Sequence, residues 1–132
     1  MKLHHVGVAV EDLTAAIGLY HGAFGGQLDR RGRSQTEDME YALLNVGGSE
    51  FELLHSEDVS SPVGKFLAKR GPGLHHLAFE VEDLDVELQR LRAAGCEIAG
   101  EIRTGVHGTR VAFVHPRSMG GVLTELVERR RS

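Results

Sequence analysis

The chain carries one eleven-residue phrase twice. Leu3-His4-His5-Val6-Gly7-Val8-Ala9-Val10-Glu11-Asp12-Leu13 recurs as Leu74-His75-His76-Leu77-Ala78-Phe79-Glu80-Val81-Glu82-Asp83-Leu84, identical at seven of eleven positions and displaced by 71 residues. A second phrase recurs with it. Gly47-Gly48-Ser49-Glu50-Phe51-Glu52-Leu53 is answered by Gly120-Gly121-Val122-Leu123-Thr124-Glu125-Leu126, displaced by 73 residues. Repeats of this kind build a fold by pairing equivalent units, because one curved sheet cannot bury its own concave face. The expectation is an α+β fold in which two βαβββ modules form a curved mixed-sheet cup. A single domain over residues 1–132 would hold repeat modules at 1–58 and 74–129, with a linker helix between them.

Local patterns fill in the elements. Residues 3–10 alternate as a strand, with Val6, Val8 and Val10 on one face and His5, Gly7 and Ala9 on the other. Asp12 or Thr14 can cap a helix whose apolar positions are Ala16, Ile17, Leu19, Tyr20 and Phe24, ended by Gly25-Gly26. Residues 32–38 are polar and aperiodic, which predicts a loop or flap. Strands follow over 40–46 and 50–55, joined at Gly47-Gly48. Ser60-Ser61-Pro62 opens a helix that Gly71-Pro72-Gly73 closes. The second copy repeats the order: a strand over 74–81, a helix over 84–94 stopped by Gly95, and a strand near 96–102. A glycine-containing loop at 105–108 and strands over 110–114 and 122–128 complete it.

Composition narrows the function classes. A chain of 132 residues with 41% hydrophobic content can build one real core. Net charge is -4 and no long basic stripe exists, which argues against nucleic acid as a partner. The lone cysteine, Cys96, excludes an intrachain disulfide. No apolar run approaches a membrane span, and the first residues enter a strand pattern without signal-peptide organisation. The expectation is a cytoplasmic protein with no membrane partner.

The repeated polar residues carry the chemistry. A polar side chain in the middle of two matching apolar strands is costly unless it has a partner. His5 and His76 are equivalent in the repeat, as are Glu52 and Glu125, and symmetric packing would let the four converge on one metal ion. Two neutral imidazoles and two carboxylates would balance a divalent charge, and the mixed donor set suits Co2+, Mn2+, Ni2+ or Zn2+. A six-coordinate ion would keep two positions open to a chelating substrate. The competing reading is two packed histidines and two outward-facing glutamates. His4 and His75 fall on the opposite strand face and read as structural or supporting groups. His107, in the glycine loop, is a candidate substrate contact, and Arg103, Arg110, Lys65 and Arg117 could meet a phosphate or carboxylate, each weighed against an ordinary solvated side chain.

Longer stretches carry a resemblance. Residues 44–48, 51–54, 61–67, 73–81 and 114–126 resemble the methylmalonyl-CoA epimerases of the vicinal oxygen chelate superfamily, which also contains glyoxalase I and the extradiol dioxygenases. The resemblance implies the vicinal oxygen chelate fold and one divalent metal ion, Co2+ or Mn2+ ahead of Ni2+ or Zn2+. It implies His5, Glu52, His76 and Glu125 as the protein ligands, although glutamine often replaces Glu52 in the family. The implied reaction inverts the carbon alpha to the thioester of methylmalonyl-CoA through an enolate, with the thioester carbonyl and free carboxylate chelating the ion. Glu125 would double as one acid–base group. In some relatives the opposite base is a glutamate that aligns with Tyr41. Its neighbour Glu40 could serve if a local bulge turned it inward. An acyl-CoA substrate and a homodimer are further implications. Two other readings share the scaffold: a lactoylglutathione lyase, and a non-catalytic small-molecule binding protein that needs no acid–base pair.

Overall fold

In the computed structural model, which describes residues 1–131, the order of elements repeats as the sequence does. The first copy is β1 (Lys2–Ala9), α1 (Leu13–Phe24), β2 (Gln27–Arg33), β3 (Glu40–Val46) and β4 (Ser49–His55). Helix α2 (Pro62–Arg70) follows. The second copy is β5 (Gly73–Val81), α3 (Leu84–Ala93), β6 (Ile98–Thr104), β7 (Arg110–Val114) and β8 (Thr124–Glu128), with one 3-10 turn at Pro116–Ser118. This is an α+β fold of two βαβββ modules with mixed strand pairing, as the duplication predicts. Its compact units comprise residues 5–75, and residues 1–4 with 76 to the end. The divisions fall inside β1 and β5, between the two histidines of each repeat. No helix among the described residues is long and apolar enough to cross a membrane.

In the unit of residues 5–75 the strands run in the order β2-β3-β4-β1, with β1 and β4 parallel and the other pairs antiparallel. Asp12 starts α1 by accepting a hydrogen bond from the Ala15 amide at 3.0 Å. Gly25 ends the helix in the left-handed conformation, with φ +66°. Between these caps Leu13, Ala16, Ile17 and Tyr20 cover Val10, Ala42, Leu44 and Leu53 on one sheet face. Helix α2 begins at Ser61, whose hydroxyl accepts from the Gly64 amide and donates to the Asp58 carbonyl. Gly64 has no substitute there, since a Cβ would stand 1.8 Å from that carbonyl oxygen.

The other unit orders its strands β5-β8-β7-β6, again with one parallel pair, β5 with β8. Asp83 caps α3 on the Val86 amide, and Leu84 and Leu88 pack on Val81, Ala112, Val114 and Leu126. Each unit therefore spends one sheet face on its helix, and the other face carries its buried histidine and glutamate among apolar neighbours.

One strand departs from expectation. No strand is predicted between the first helix and residue 40, yet β2 runs from Gln27 to Arg33, and the predicted loop over 32–38 holds from Ser34 onward. Every residue of β2 except Gly32 is exposed, so no buried face imprints an alternating pattern. Asp29, Arg30, Arg31 and Arg33 instead give it the charges that keep an outer strand from pairing with another chain. Both β2 and β6 are bulged, between Leu28 and Arg30 and between Ala99 and Arg103.

Candidate metal centre

The strand register reproduces the repeat at its chemical centre. Gly7 pairs with Glu52 across β1 and β4, and Ala78, its equivalent, pairs with Glu125 across β5 and β8. Paired residues share a sheet face, and alternation adds His5 to the Glu52 face and His76 to the Glu125 face. Small residues at positions 7 and 78 leave space beside each glutamate. His5, Glu52, His76 and Glu125 are all buried, with 2–8% of their surface exposed.

His5 Nε2 lies 3.8 Å from Glu52 Oε1, and His76 Nε2 lies 3.5 Å from Glu125 Oε1. Both separations exceed good hydrogen-bond length. They match instead the spacing of two donor atoms that each reach one ion through a bond of about 2.0–2.2 Å. Each unit thus carries a buried histidine–glutamate pair with the donor atoms that bind a divalent metal ion. Nitrogen and carboxylate oxygen donors suit a borderline divalent ion better than a soft or purely oxygen-seeking one. Glu50 Oε2 adds a second carboxylate 3.8 Å from His5 Nδ1, setting negative charge on the far side of that ring. Glu50 lies inside the second repeated phrase, so the position was visible in the sequence, but nothing in it distinguished a group beside the ring from a surface charge.

Two candidate residues fall on the wrong face. The β3–β4 register is unbroken from Glu40 opposite His55 to Val46 opposite Ser49, so the bulge that would turn Glu40 inward is absent. Leu43 pairs with Glu52, which puts Tyr41 on the glutamate's face and Glu40 on the helix-facing side. Arg110 likewise lies away from the glutamate's face and is engaged in ion pairs. Its Nε and Nη2 donate to both oxygens of Glu128 at 3.0 and 2.9 Å, and Nη2 donates to Asp85 at 2.7 Å. Val111 pairs with Val127 on the Glu125 face, so Arg110 lies on the face covered by α3. Its hydrogen bonds to Glu128 and Asp85 raise its already high pKa. The same arginine, with the Leu84 amide, holds the Glu128 carboxyl down at about 2. This is a clamp between β7, β8 and the start of α3.

The remaining histidines occupy defined places. His107 sits half-buried in the 105–108 loop, its ring edge-to-face with His4 at 4.6 Å, and its carbonyl accepts from Arg130. His75 packs its ring on Phe66 at 5.0 Å. His55 ends β4 buried, with Nδ1 donating to the Val10 carbonyl at 2.8 Å and Nε2 donating to Glu57 at 2.7 Å. Burial opposes its charged form, but the Val10 carbonyl, Glu57 and the more distant Glu40 outweigh burial and raise its pKa.

Two arginine–aromatic pairs are not legible in the sequence, which offers Arg103 only as one of several cations able to meet a phosphate or carboxylate. The Arg30 guanidinium lies 5.4 Å from the centre of the Tyr41 ring, and that of Arg103 lies 5.7 Å from the Phe113 ring. Each arginine stands at the position where pairing resumes after the bulge of β2 or β6. The only available signal was a 73-residue displacement between two arginines, unsupported by matching neighbours.

Known proteins resemble this chain over nearly its full length. Residues 4–113 match the model of the Glyoxalase/Bleomycin resistance protein/Dioxygenase superfamily. The chain is 34% identical over 128 residues to the ethylmalonyl-CoA/methylmalonyl-CoA epimerase of Cereibacter sphaeroides, covering 95% of this chain and 96% of that protein. It superposes on the crystal structure of methylmalonyl-CoA epimerase from Mycobacterium tuberculosis with a TM-score of 0.92 and 41% identity, over 98% of this chain and 89% of that one. A variant of the Streptomyces coelicolor methylmalonyl-CoA epimerase, solved in complex with 2-nitronate-propionyl-CoA, gives a TM-score of 0.92 at 33% identity, over 99% of both chains.

Proposed function

Because the chain belongs to the Glyoxalase/Bleomycin resistance protein/Dioxygenase superfamily, we propose that it is a metal-dependent epimerase that inverts methylmalonyl-CoA at the carbon alpha to the thioester. The observation that carries the reading is the doubled register, Gly7 with Glu52 and Ala78 with Glu125, which sets a buried histidine–glutamate pair in each unit. The similarity to epimerases of the same substrate, over almost the whole chain, supports the choice of reaction.

In this reading His5, Glu52, His76 and Glu125 hold one divalent ion, Co2+ or Mn2+ by preference. Such an ion, when bound, supplies positive charge against the oxygen that becomes enolate-like as the alpha proton leaves. His5 and His76 present neutral imidazole nitrogens, and Glu52 and Glu125 supply the two negative charges that balance the site. Glu125 would serve as the acid–base group on one face of the enolate, a duty that its exclusion from bulk water favours, and inversion requires a second proton donor on the opposite face. Glu40 is given no part in proton transfer, since its side chain belongs to the helix-facing side of β3. His107, in its half-buried loop, is the substrate contact retained from the sequence.

The test is a comparison of two substrates. Metal-reconstituted protein incubated with methylmalonyl-CoA in deuterated water is expected to exchange the alpha proton and invert the centre. Turnover of only the hemithioacetal of methylglyoxal and glutathione would assign a lactoylglutathione lyase instead. Turnover of neither would leave a binding protein.

A further inference from the structure

We propose that Arg103 recognises an anionic group of the acyl-CoA, an inference that rests on the acyl-CoA reading above. The register places Arg103 opposite Val111, and Val111 opposite Val127, on the face that carries Glu125. From that row the side chain leans onto Phe113, the residue paired with Glu125 itself. Phe113 in turn meets the His76 ring edge-to-face, at 6.0 Å and 85°. A half-buried cation is thus held two ring contacts from a ligand histidine, within one unit of the fold.

The backbone aims it there. Pairing between β6 and β7 breaks after Ala99 and resumes at Arg103, and Gly100 in the bulge has φ +74°. The guanidinium reaches back over this bulge, to 3.5 Å from where a Gly100 Cβ would stand. Bulges at sheet rims commonly re-aim one side chain in this way. The first module repeats the device with Arg30, but there the guanidinium leans away from its glutamate. Arg30 pairs with Leu43 in the Glu52 row and covers Tyr41, which pairs with Leu54 one row further on. Arg30 is also exposed where Arg103 is half-buried. Only the second copy directs its arginine toward the glutamate.

A guanidinium fits carboxylate and phosphate alike, binding two oxygens with two parallel donors. The aromatic ring beneath fixes its plane, so less side-chain freedom is lost when the anion arrives. The carboxylate of the acyl group and the phosphates of CoA share this chemistry.

Equilibrium binding of methylmalonyl-CoA and of methylmalonyl-pantetheine, which lacks the phosphates, separates the two sources. Arg103→Gln should weaken methylmalonyl-CoA binding about 10- to 100-fold, the range for a lost charged hydrogen bond. Arg103→Lys, which keeps charge without the planar fork, should fall between. The control Arg92→Gln, on the exposed side of α3, should bind like wild type. An equal loss with both ligands identifies the carboxylate, and a loss confined to the CoA ester identifies phosphate. Arg103→Gln binding both ligands within twofold of wild type overturns the proposal. Wild-type protein that binds the CoA ester without inverting it overturns the epimerase reading and leaves the Arg103 result standing; no binding at all overturns both.

Discussion

Glu125→Gln separates the two duties given to Glu125. The amide keeps the volume of the carboxylate in a position only 8% exposed, and it keeps one oxygen where Oε1 now stands 3.5 Å from His76 Nε2. Packing against Phe113 and Ala78, its partners in register, is therefore conserved. What changes is charge and basicity. The four proposed ligands would fall from two negative charges to one, weakening metal binding without removing a donor. An amide cannot accept the alpha proton, and loss of a positioned general base costs about 10²- to 10⁴-fold, or about 3–5 kcal/mol of barrier. The expected result is a protein that can still be loaded with metal at excess ion but inverts at least about a hundredfold more slowly. Elemental analysis measures the metal. Alpha-proton exchange into deuterated water, followed separately from each epimer, measures the chemistry, and the epimer whose proton faces Glu125 should suffer more. Full turnover with metal retained would refute the acid–base duty. Turnover restored completely by excess metal would reduce Glu125 to a ligand.

Arg110→Met should destabilise the fold and spare the site. Glu128 titrates at about 2 instead of 4.5 because Arg110 and the Leu84 amide stabilise its charged form. A carboxyl lowered on folding adds stability above its unfolded value, so the clamp acts above pH 4.5 and is lost as the pH falls toward 2. With Arg110 open to solvent, screening discounts the clamp, so the loss at neutral pH is modest. Thermal melts of variant and wild type should differ at pH 7 and converge toward pH 2; unchanged melts with lost substrate binding would return Arg110 to the substrate. Gly64→Ala forces a Cβ to 1.8 Å from the Asp58 carbonyl oxygen, a backbone atom that cannot swing aside. It should cost about 3 kcal/mol, the upper end for overpacking, read as a lowered unfolding midpoint. A midpoint within a degree of wild type would contradict this.

Much of this arrangement was legible because duplication and strand parity act on the same residues. Two matching phrases pointed to equivalent strands, and the alternation of His5, Gly7 and Ala9 against Val6, Val8 and Val10 placed the histidine on the face with small neighbours. What parity could not supply was the partner strand. Glu40 and Tyr41 differ by one position, and only the pairing of Leu43 with Glu52 tells which of them shares the glutamate's face. The face of Arg110 is hidden for the same reason, since it is set by Val111 opposite Val127. Strand β2 was hidden more deeply: an exposed outer strand has no buried face, so its sequence follows charge requirements and reads as loop. The two bulges were invisible because the residues that resume pairing are determined by the opposite strand.

The differences between the copies matter as much as their identity. Both modules keep the histidine, the small residue beside the glutamate, and the glutamate, and both keep an arginine at the end of a bulge. The aromatic ring has moved between them. In β7 it stands directly opposite the glutamate, as Phe113 opposite Glu125, whereas in β3 Leu43 holds that place and the ring is Tyr41 in the next row. Shifting a ring by one row shifts the arginine stacked on it, toward Glu125 in one copy and away from Glu52 in the other. A metal ion is content with two equivalent pairs of donors. The proposed substrate is not symmetric, with a short carboxylate on one side of the reacting carbon and a long thioester tail on the other. Two identical arginine positions would offer it both orientations equally; a single guanidinium leaning toward the glutamate would select one, and a fixed orientation keeps the same face of the alpha carbon toward Glu125.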